Sequence, residues 1–442
     1  MDEFARRRAT FSQQIGDAVA IIPSAPEVSR SNDTRYPYRQ DTDLYYLTGF
    51  EEPESVLVIA PAHKTVKSAL FVRPRDAERE VWDGKRAGVE GAAADFGVDA
   101  AYPIAELDQR LPEFLETAGT LYYAFDRDDA FNRRVVDLLR RYRVSRRRAD
   151  GGPLTVIDPG VVLHALRVIK SPADIEGMRR AVAISREGHI AAMRHARPGM
   201  HEYEVQAIAE YIFVSRGAQS AAYTSIVGAG ANGTVLHYHA NRARIKDTDL
   251  VLVDAGAEVD YYCGDLTRTW PISGKFSPEQ ASVYEIVLAA ERRCIEMCRP
   301  GVNFNVDVND AATRTITEGL IDLGLLSGSV DENIEKGSYR RFYMHRIGHY
   351  LGMDTHDVGS YREGGEWRAL APGMVVTIEP GIYIPDQDDI PRGLRGIGVR
   401  IEDNILITPN GFDDLSSGTP KTIAEVERTI AEGRESKIPL LA

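Results

Sequence analysis

The second part of the chain repeats one order of segments. A long helical pattern, the tripeptide Arg-Pro-Gly, a second helical pattern and a group of β-rich segments occur twice, with helical patterns over 172–195, 202–216, 278–298 and 306–324. This order predicts a duplicated α+β half, although short β-rich strings also resemble one another by chance. We expect two similar halves that face each other.

The β-rich segments of the two copies match residue by residue. The strings LVLVDAG and VVTIEPG align so that Asp254 corresponds to Glu379. A second strand-like segment follows each string and carries another carboxylate, Asp265 in DLTRTW and Glu402 in GVRIED. Two facing halves would therefore bring four carboxylates from strands to one centre.

The first two carboxylates belong to one predicted β-hairpin. The segment over 250–270 has two apolar-rich strands, and a turn centred on Val259 and Asp260 would place Asp254 directly opposite Asp265. Their Cβ atoms would then lie about 5 Å apart. Facing carboxylates repel, so a proton or a cation must lie between them. The alternative, two aspartates that flank an exposed turn, fits the apolar strand around Asp254 less well.

Glu379 and Glu402 pose the same electrostatic problem. Glu379 ends an apolar strand directly before a Pro-Gly pair, and Glu402 follows the segment Val-Arg-Ile. Four such carboxylates predict a site for more than one cation. Oxygen donors suit Mg²⁺, Ca²⁺ or Mn²⁺, and an added imidazole moves the preference toward Mn²⁺, Fe²⁺, Co²⁺ or Zn²⁺.

Candidate imidazoles are concentrated in the segment MHRIGHYLGMDTHDVG, which contains His345, His349 and His356. The first two have the spacing of the helical HExxH zinc motif, but no glutamate follows His345 and nearby glycines weaken a helix, so we reject that motif. Three histidines so close together favour a functional site over a structural role. His237 in LHYHAN is a fourth candidate, and its neighbour His239 is interpreted as an exposed residue.

Composition restricts partners and compartment. The 53 basic and 66 acidic side chains give a net charge of −13, which repels nucleic acid and anionic lipid, so neither partner is expected. The sequence has no apolar run long enough for a membrane helix and no apolar signal segment, which predicts a cytoplasmic protein. We interpret Cys263, Cys294 and Cys298 as buried packing residues.

The first third predicts a separate α/β domain. Strand-like runs alternate with helical patterns, with strands expected over 44–50, 55–61, 68–74 and 120–126 and helices near 106–117 and from about residue 128. A helix-start signal at Ser171 and Pro172 marks the beginning of the repeated part. We expect an N-terminal α/β domain over 1–168 and a catalytic domain over 171–442.

The motifs, in their order and contexts, resemble the metallopeptidases of the pita-bread fold. VDAG, GDLTRT, GHYLG, TIEPG and RIED match the five-ligand pattern of that group. Within it, YPYRQDTDLYYLTGFEEPESVLVI, HRIGHYLGMDTHD and RGIGVRIED are similar to the aminopeptidase P family. The similarity runs from about residue 4 to about residue 430. It implies a creatinase-type α/β domain followed by an α+β pita-bread domain built from a duplicated αα-ββ unit.

The resemblance also implies cofactors and residue roles. It implies two divalent ions per subunit, most commonly Mn²⁺, held by Asp254, Asp265, His349, Glu379 and Glu402. Other implied catalytic residues are His237, His345, His356 and Arg400, with Glu379 as proton shuttle and Tyr223 and Tyr383 near the substrate. Asp43 and Trp82 match positions at the substrate entrance, the tryptophan reaching the site of a neighbouring subunit in a homo-oligomer, a dimer or a tetramer.

The implied activity is hydrolysis of the bond between a first residue and a following proline in peptide substrates. Asp265 and Glu402 would bridge the ions, with Asp254 on one and His349 and Glu379 on the other. Four carboxylates balance two divalent ions, so the cluster can hold a bridging hydroxide, because the ions lower the pKa of bound water toward roughly 7.

Three alternatives share the fold. A prolidase would cleave only Xaa-Pro dipeptides with the same five ligands. A non-catalytic peptide-binding module or a metal-free creatinase would retain the fold without the full ligand set, and all five ligands are present here.

Overall fold

The computed structural model describes residues 3–145 and 151–435 and contains two compact units, Met1–Leu166 and Arg167–Ala442. The expected domain limits, 1–168 and 171–442, stay predictions, and they include residues outside the described part of the chain. Within the described residues, we find no helix that combines the length and the apolar character needed to cross a bilayer.

The first unit is built on a mixed six-stranded sheet. Its strands, in spatial order, are Ala100–Pro103, Ser68–Val72, Val56–Ile59, Val19–Pro23, Thr120–Tyr122 and Thr155–Ile157. Val56–Ile59 pairs antiparallel with both of its neighbours, and the other three pairings are parallel. The helices are Glu3–Ile15, Thr42–Thr48, Ala77–Asp83, Gly88–Asp95, Leu107–Leu115, Asp129–Ser145 and Gly160–Val168, with a short hairpin of Ser29–Ser31 and Thr34–Arg35 and a 3₁₀ turn at Ile104–Glu106. Apolar side chains on one face of the sheet pack against helices and form a core, as an α/β unit requires.

Residues 44–50 lie in a helix and its C-terminal cap, and the predicted strand is wrong. The helix Thr42–Thr48 begins at Asp41, whose carboxylate accepts hydrogen bonds from two amides of the first turn. It ends at Gly49, which has the left-handed φ of 68°. Caps at both ends of a short buried segment outweigh the modest β preference of its aromatic residues.

The second unit shows the predicted repeat of helices. Pro172–His195 and Glu202–Ser215 precede the strands of the first half, and Pro278–Met297 and Asn309–Asp322 precede those of the second. The long helices Pro172–His195 and Pro278–Met297 begin in the same way, with a serine capping box and proline at the first helical position. The remaining helices are Val330–Lys336 and Ile423–Glu435, with short turns at Gly230–Thr234, Phe304–Val308 and Ser338–Arg341.

The strands of the second unit form equivalent sheets in the two halves. One antiparallel sheet contains Ile226–Ala229, Leu250–Asp254 and Thr267–Pro271, and the other contains Val375–Ile378, Asp403–Thr408 and Gly411–Asp414. Smaller sheets pair Ser220–Ala221, Ala257–Val259 and Tyr262–Cys263, then Gly381–Tyr383 with Gly398–Arg400, and Arg362–Glu363 with Glu366–Trp367. A bridge between Thr267 and Glu402 joins the two halves. The order of elements confirms the predicted duplication.

The three cysteines are buried thiols, as predicted. Burial raises the pKa of Cys294 to about 12, so this group stays protonated at neutral pH. The side chains of Cys294 and Cys298 belong to the main apolar core of the second unit, between its helices and its strands.

Candidate metal centre and active site

Asp254 and Asp265 lie on one antiparallel hairpin, but they are not direct cross-strand partners. Asp254 pairs with Thr267, so Asp265 is its diagonal neighbour and the predicted register is wrong. The turn is formed by Asp260 and Tyr261, whose φ angles are 49° and 69°. Neither residue is a glycine, so the sequence does not mark which pair takes the turn conformation.

The hydroxyl of Tyr223 lies between these two carboxylates. Its oxygen is 2.5 Å from one oxygen of Asp254 and 2.5 Å from one oxygen of Asp265. Burial and the adjacent negative charges raise the pKa of Tyr223 well above its usual value. The tyrosine is therefore a neutral donor. Its one proton is shared by two carboxylates, so most of the repulsion between Asp254 and Asp265 remains.

A buried guanidinium from the second half reaches the same hairpin. Arg400 donates to Asp254 at 2.5 Å, to the hydroxyl of Tyr383 at 2.9 Å and to the hydroxyl of Thr267 at 3.2 Å. Because Arg400 is 3 % exposed, the chain holds a fixed positive charge inside the carboxylate cluster.

His345 completes a chain of hydrogen bonds that begins at Arg400. Burial and the nearby guanidinium lower the pKa of His345 to about 4, so the ring is neutral. Its Nδ1 faces the carbonyl of Arg346 at 2.8 Å, and a carbonyl only accepts, so Nδ1 carries the proton. Its Nε2 then accepts from the hydroxyl of Tyr383 at 2.8 Å, whose oxygen accepts from Arg400.

His349 is brought to the carboxylates by an irregular segment that lies along Val375–Ile378. The His349 amide donates to the hydroxyl of Thr377 at 3.0 Å, and the Thr377 amide donates to the His349 carbonyl at 2.9 Å. A Cβ at Gly348 would lie 2.1 Å from the Thr377 carbonyl oxygen, so this approach requires glycine. The segment is not helical, which agrees with rejection of the HExxH motif.

The ring of His349 is oriented for ligation. Its Nδ1 faces the carbonyl of Tyr350 at 2.9 Å, which assigns a proton to Nδ1. Its Nε2 then points at Asp265 and Glu379, at 3.4 and 3.6 Å. Burial alone would lower the pKa of His349, but these two carboxylates raise it to about 9. The same geometry offers a lone pair on Nε2 to a cation.

Glu379 and Glu402 belong to the same cluster. Burial raises the pKa of Glu379 to about 7 and that of Glu402 well above its usual range, with further increases from neighbouring carboxylates. Glu402 accepts a hydrogen bond from the hydroxyl of Thr267 at 2.7 Å. Donor atoms of Asp265, His349 and Glu402 all lie within 4.8 Å of one another. The cluster offers mainly oxygen donors and one imidazole, and its negative charge exceeds its positive charge. Such a donor set fits divalent cations.

These groups line one cavity of about 550 Å³. The predicted residues in its wall are Tyr223, His237, Asp254, Asp265, His345, His349, His356, Glu379, Arg400 and Glu402. Tyr383 contacts the cluster through Arg400 and His345. The ring of His356 packs 4.4 Å from that of His349, which places a second imidazole beside the donor set.

Sequence reasoning missed several lining residues, namely Thr224, Ile226, Leu236, His239, Arg346 and Thr355. His239 is exposed as predicted, but it also lines the cavity, with its ring stacked 6.2 Å from that of His237. Its position two residues after His237 was the available signal. Ile226 and Leu236 carried none, because apolar residues near a strand predict core packing equally well.

Asp43 and Trp82 belong to the first unit. Asp43 is buried and forms an ion pair with Arg127 at 3.4 Å, and its carboxylate lies 3.5 Å from Nε2 of His164. Trp82 is 84 % exposed on the helix Ala77–Asp83. Their place at a substrate entrance stays a prediction.

Comparison with known proteins matches both units. Residues 176–409 match metallopeptidase family M24, and residues 4–122 match the N-terminal domain of aminopeptidase P. The Xaa-Pro aminopeptidase of Escherichia coli K12 is 41% identical over 435 residues, 98% of each chain. Human Xaa-Pro aminopeptidase 3 is 36% identical over 426 residues, 94% of this chain and 81% of that protein.

Solved structures agree over the same length. The aminopeptidase PepP of Pseudomonas aeruginosa has a TM-score of 0.96 and 46% identity, with 98% of each chain covered. Zinc-substituted aminopeptidase P of Escherichia coli in complex with product has a TM-score of 0.94 and 41% identity, with 98% of this chain and 99% of that chain covered.

Proposed function

The chain belongs to metallopeptidase family M24 and carries the N-terminal domain of the aminopeptidases P, and from this premise we propose that it removes the first residue from peptides with proline in second position. The predicted fold class is confirmed, with a creatinase-type α/β domain before a pita-bread domain. The observation that carries the proposal is the convergence of five side chains with metal-ligating groups on one cavity: Asp254, Asp265, His349, Glu379 and Glu402.

We propose that these five side chains hold two divalent ions, most commonly Mn²⁺. The four carboxylates lack matching positive charge within the protein, since Arg400 is the permanent cation bonded to this cluster among the described residues. The ions, when bound, supply Lewis acidity and a water that is acidic enough to react near neutral pH.

The side chains around the donor set have separate tasks. Glu379 takes a proton from the attacking water and delivers it to the proline nitrogen as the carbon–nitrogen bond breaks. His237 and His356 line the cavity and donate to the carbonyl oxygen or to the leaving nitrogen. Arg400 and Tyr383, fixed through neutral His345, keep Asp254 in its orientation.

Preference for proline has a physical basis. An Xaa-Pro bond is a tertiary amide without an N–H group, so a peptidase that must bind that N–H loses an anchor. Ile226 and Leu236 give this cavity an apolar wall, on which a pyrrolidine ring can pack. Specificity then depends on shape rather than on an amide hydrogen bond.

The decisive experiment compares three peptides. Protein stripped of metal and reloaded with Mn²⁺ is given an Xaa-Pro-Pro tripeptide, an Xaa-Pro dipeptide and an Xaa-Ala-Pro control. Release of the first residue from the Xaa-Pro-Pro peptide, with little from the alanine control, supports the aminopeptidase. Cleavage of the dipeptide alone identifies a prolidase, and no cleavage with two ions bound identifies a binding module. Reloading with Co²⁺, Zn²⁺ or Mg²⁺ tests the preference for Mn²⁺.

We also propose a homo-oligomer, a dimer or a tetramer, in the cytoplasm. The exposed side chains of Val81 and Trp82, 82 % and 84 % accessible, fit a surface that another copy covers. Light scattering of the wild type and of Trp82→Ser tests the assembly, and a monomeric wild type would contradict it. Cell fractionation tests the compartment.

A further inference from the structure

A polar stripe on the helix Glu202–Ser215 faces a wall of the cavity. Glu202, Gln206 and Glu210 follow one another at intervals of one helical turn, so they lie on the same face. All three hydrogen-bond to the segment 225–243, which carries His237. None of these three residues is a predicted ligand or catalytic group.

Glu202 is the most heavily bonded member of this stripe. It is 0 % exposed, and each of its carboxylate oxygens accepts two hydrogen bonds. One oxygen accepts from the Ala229 amide and the Asn232 side chain, both at 2.9 Å. The other accepts from the Tyr238 hydroxyl at 2.9 Å and the Ala243 amide at 2.8 Å. A single buried carboxylate therefore ties together the beginning, middle and end of the segment 229–243.

The charge of Glu202 is stabilised without an ion pair. No Lys, Arg or His nitrogen of the described residues lies within 4.0 Å of it as a salt bridge. Its four donors are neutral, and it occupies the first turn of a helix, where the helix dipole favours an anion. A carboxylate at this position accepts hydrogen bonds from all four donors, which a neutral side chain could not do.

Gln206 and Glu210 extend the same network. Gln206 accepts from Asn241 at 2.9 Å, and Asn241 has a left-handed φ of 47° and also donates to the Ser225 carbonyl. The Ser225 hydroxyl donates to Glu210 at 2.8 Å. The cavity wall is thus bonded to the helix at several points outside the metal donors.

His237 depends on this framework for its position. The imidazole is exposed and makes no hydrogen bond within the described part of the chain. Its sequence neighbour Tyr238 is bonded to Glu202, and both ends of the segment are bonded to the same carboxylate. The backbone, rather than a bond to the ring, fixes where this imidazole lies.

We propose that Glu202 is a positioning residue, whose buried carboxylate holds the segment 229–243 so that His237 faces the scissile bond. This inference rests on the proposed function, since it takes His237 as a catalytic group. In Glu202→Gln the amide oxygen keeps two acceptor positions, but the NH₂ group cannot accept from the Ala243 amide. The segment then shifts, and small displacements of a catalytic group reduce turnover strongly.

The test is a double-mutant cycle with Glu202→Gln and His237→Ala in Mn²⁺-loaded protein. His237→Ala should lower kcat on the order of tenfold to a thousandfold and Glu202→Gln on the order of tenfold to a hundredfold, with KM and bound metal close to wild type. If Glu202 acts through His237, the double variant should be no slower than His237→Ala. Tyr238→Phe, which removes one of four bonds, should lie between wild type and Glu202→Gln.

Hydrogen exchange provides a readout that does not depend on activity. Glu202→Gln should accelerate amide exchange in peptides that cover 229–243 and leave peptides that cover 250–271 unchanged. Ser277→Ala is the matched control, because it removes the cap of a different helix and lowers stability without contact to this segment. It should leave kcat and exchange over 229–243 as in wild type.

Three results would overturn the inference: additive losses in the double variant, unchanged exchange over 229–243 in Glu202→Gln, or an equal loss of kcat in Ser277→Ala. Failure of the proposed function looks different. In that case wild type itself does not cleave Xaa-Pro-Pro peptides, whereas hydrogen exchange still shows whether Glu202 holds the segment 229–243.

Discussion

The guanidinium of Arg400 lies 2.5 Å from a carboxylate oxygen of Asp254, and these two residues belong to different halves of the repeated domain. The second half thereby supplies a permanent positive charge to a carboxylate of the first. Since Asp254 also receives the hydroxyl of Tyr223, its two oxygens have fixed partners. The orientation of a candidate metal ligand is therefore set by protein groups on both sides.

This ion pair predicts different outcomes for two substitutions. Arg400→Lys keeps the charge but cannot reach Asp254, Tyr383 and Thr267 together, because an ammonium lacks the planar fork of a guanidinium. We expect kcat to fall on the order of tenfold to a hundredfold with metal content retained. Arg400→Met should also lower stability, since it removes the cation that pairs with the partly buried carboxylate of Asp254. Metal analysis, kinetics and thermal unfolding measure these effects.

The control for this pair is Arg180→Lys, at an exposed ion pair with Asp260. Exposed pairs contribute little, so kinetics and unfolding should match wild type. Full activity in Arg400→Lys would contradict the role of the guanidinium fork.

Removal of a central ligand should abolish metal loading. Asp265 lies beside both His349 and the hydroxyl of Tyr223, and it is 4 % exposed. Asp265→Ala should bind neither ion stoichiometrically and should hydrolyse no peptide. Asp260→Asn, at the exposed tip of the same hairpin, should keep both ions. Elemental analysis after dialysis measures the bound metal. An Asp265→Ala protein with two ions would contradict the prediction that Asp265 bridges them.

Chelation should lower the thermal stability of the protein as well as its activity. Cations that bind only the folded state stabilise it by mass action, and burial of four carboxylates without them is unfavourable. We expect a chelator to lower the unfolding temperature and added Mn²⁺ to restore it in proportion to concentration. The Asp265→Ala variant is the control, because its unfolding temperature should not respond to Mn²⁺.

The candidate ligands can be picked out in the sequence because they break a local rule. Asp254 and Glu379 end strands that are otherwise apolar, and such positions are unfavourable for a carboxylate unless a cation is present. The helix Pro172–His195 has the bounds expected from its Ser-Pro start and its Arg-Pro-Gly end. Clear capping signals therefore predict the ends of a helix, and a carboxylate in an apolar strand marks a candidate metal ligand.

Features that depend on contacts between distant segments could not be predicted. Thr267 appears as an ordinary β-former, yet its hydroxyl donates to Glu402, 135 positions away. Glu202 appears as an ordinary acidic residue in a helical first turn, yet it is fully buried. The hairpin register failed for a related reason, because the left-handed conformations of Asp260 and Tyr261 are imposed by the surrounding structure.

Substitution of Gly256 should disrupt that hairpin. A Cβ at this position would lie 1.7 Å from the carbonyl oxygen of Gly264, a backbone atom that cannot move without separating the strands. We expect Gly256→Ala to lose metal and to unfold at a much lower temperature, because the added methyl group would overlap this backbone oxygen. Gly119→Ala, where a Cβ meets nothing within 4 Å, should behave as wild type. A stable, metal-loaded Gly256→Ala protein would contradict the predicted clash.

The two cavity imidazoles predict losses of turnover without losses of metal. His356 packs against His349 at 4.4 Å, and His237 lines the same cavity. We expect His356→Ala and His237→Ala to lower kcat on the order of tenfold to a thousandfold with both ions bound. His201→Ala, outside the cavity lining, is the control and should retain turnover. Unchanged kcat in either cavity variant would remove that residue from the proposed mechanism.

His189 predicts a pH dependence of stability. Its imidazole is 0 % exposed, its Nε2 lies 2.9 Å from the carbonyl of Ala255, and its Nδ1 has no hydrogen-bond partner among the described residues. Burial lowers the pKa of His189 to about 4, whereas in the unfolded chain it is about 6.5. Between these values the unfolded chain binds a proton that the folded protein does not, so the free energy of unfolding falls as pH decreases through this window.

The expected slope from this one proton is about 1.4 kcal/mol per pH unit inside the window, and zero above pH of about 7. His189→Gln keeps a donor toward Ala255 but cannot be protonated, so its stability should fall less than that of wild type between pH 6.5 and pH 4. Urea unfolding at several pH values measures the difference, with exposed His239→Gln as the control for the substitution itself. Parallel curves for wild type and His189→Gln would show that the buried imidazole is protonated in the folded protein as readily as in the unfolded chain, contrary to the effect of its burial.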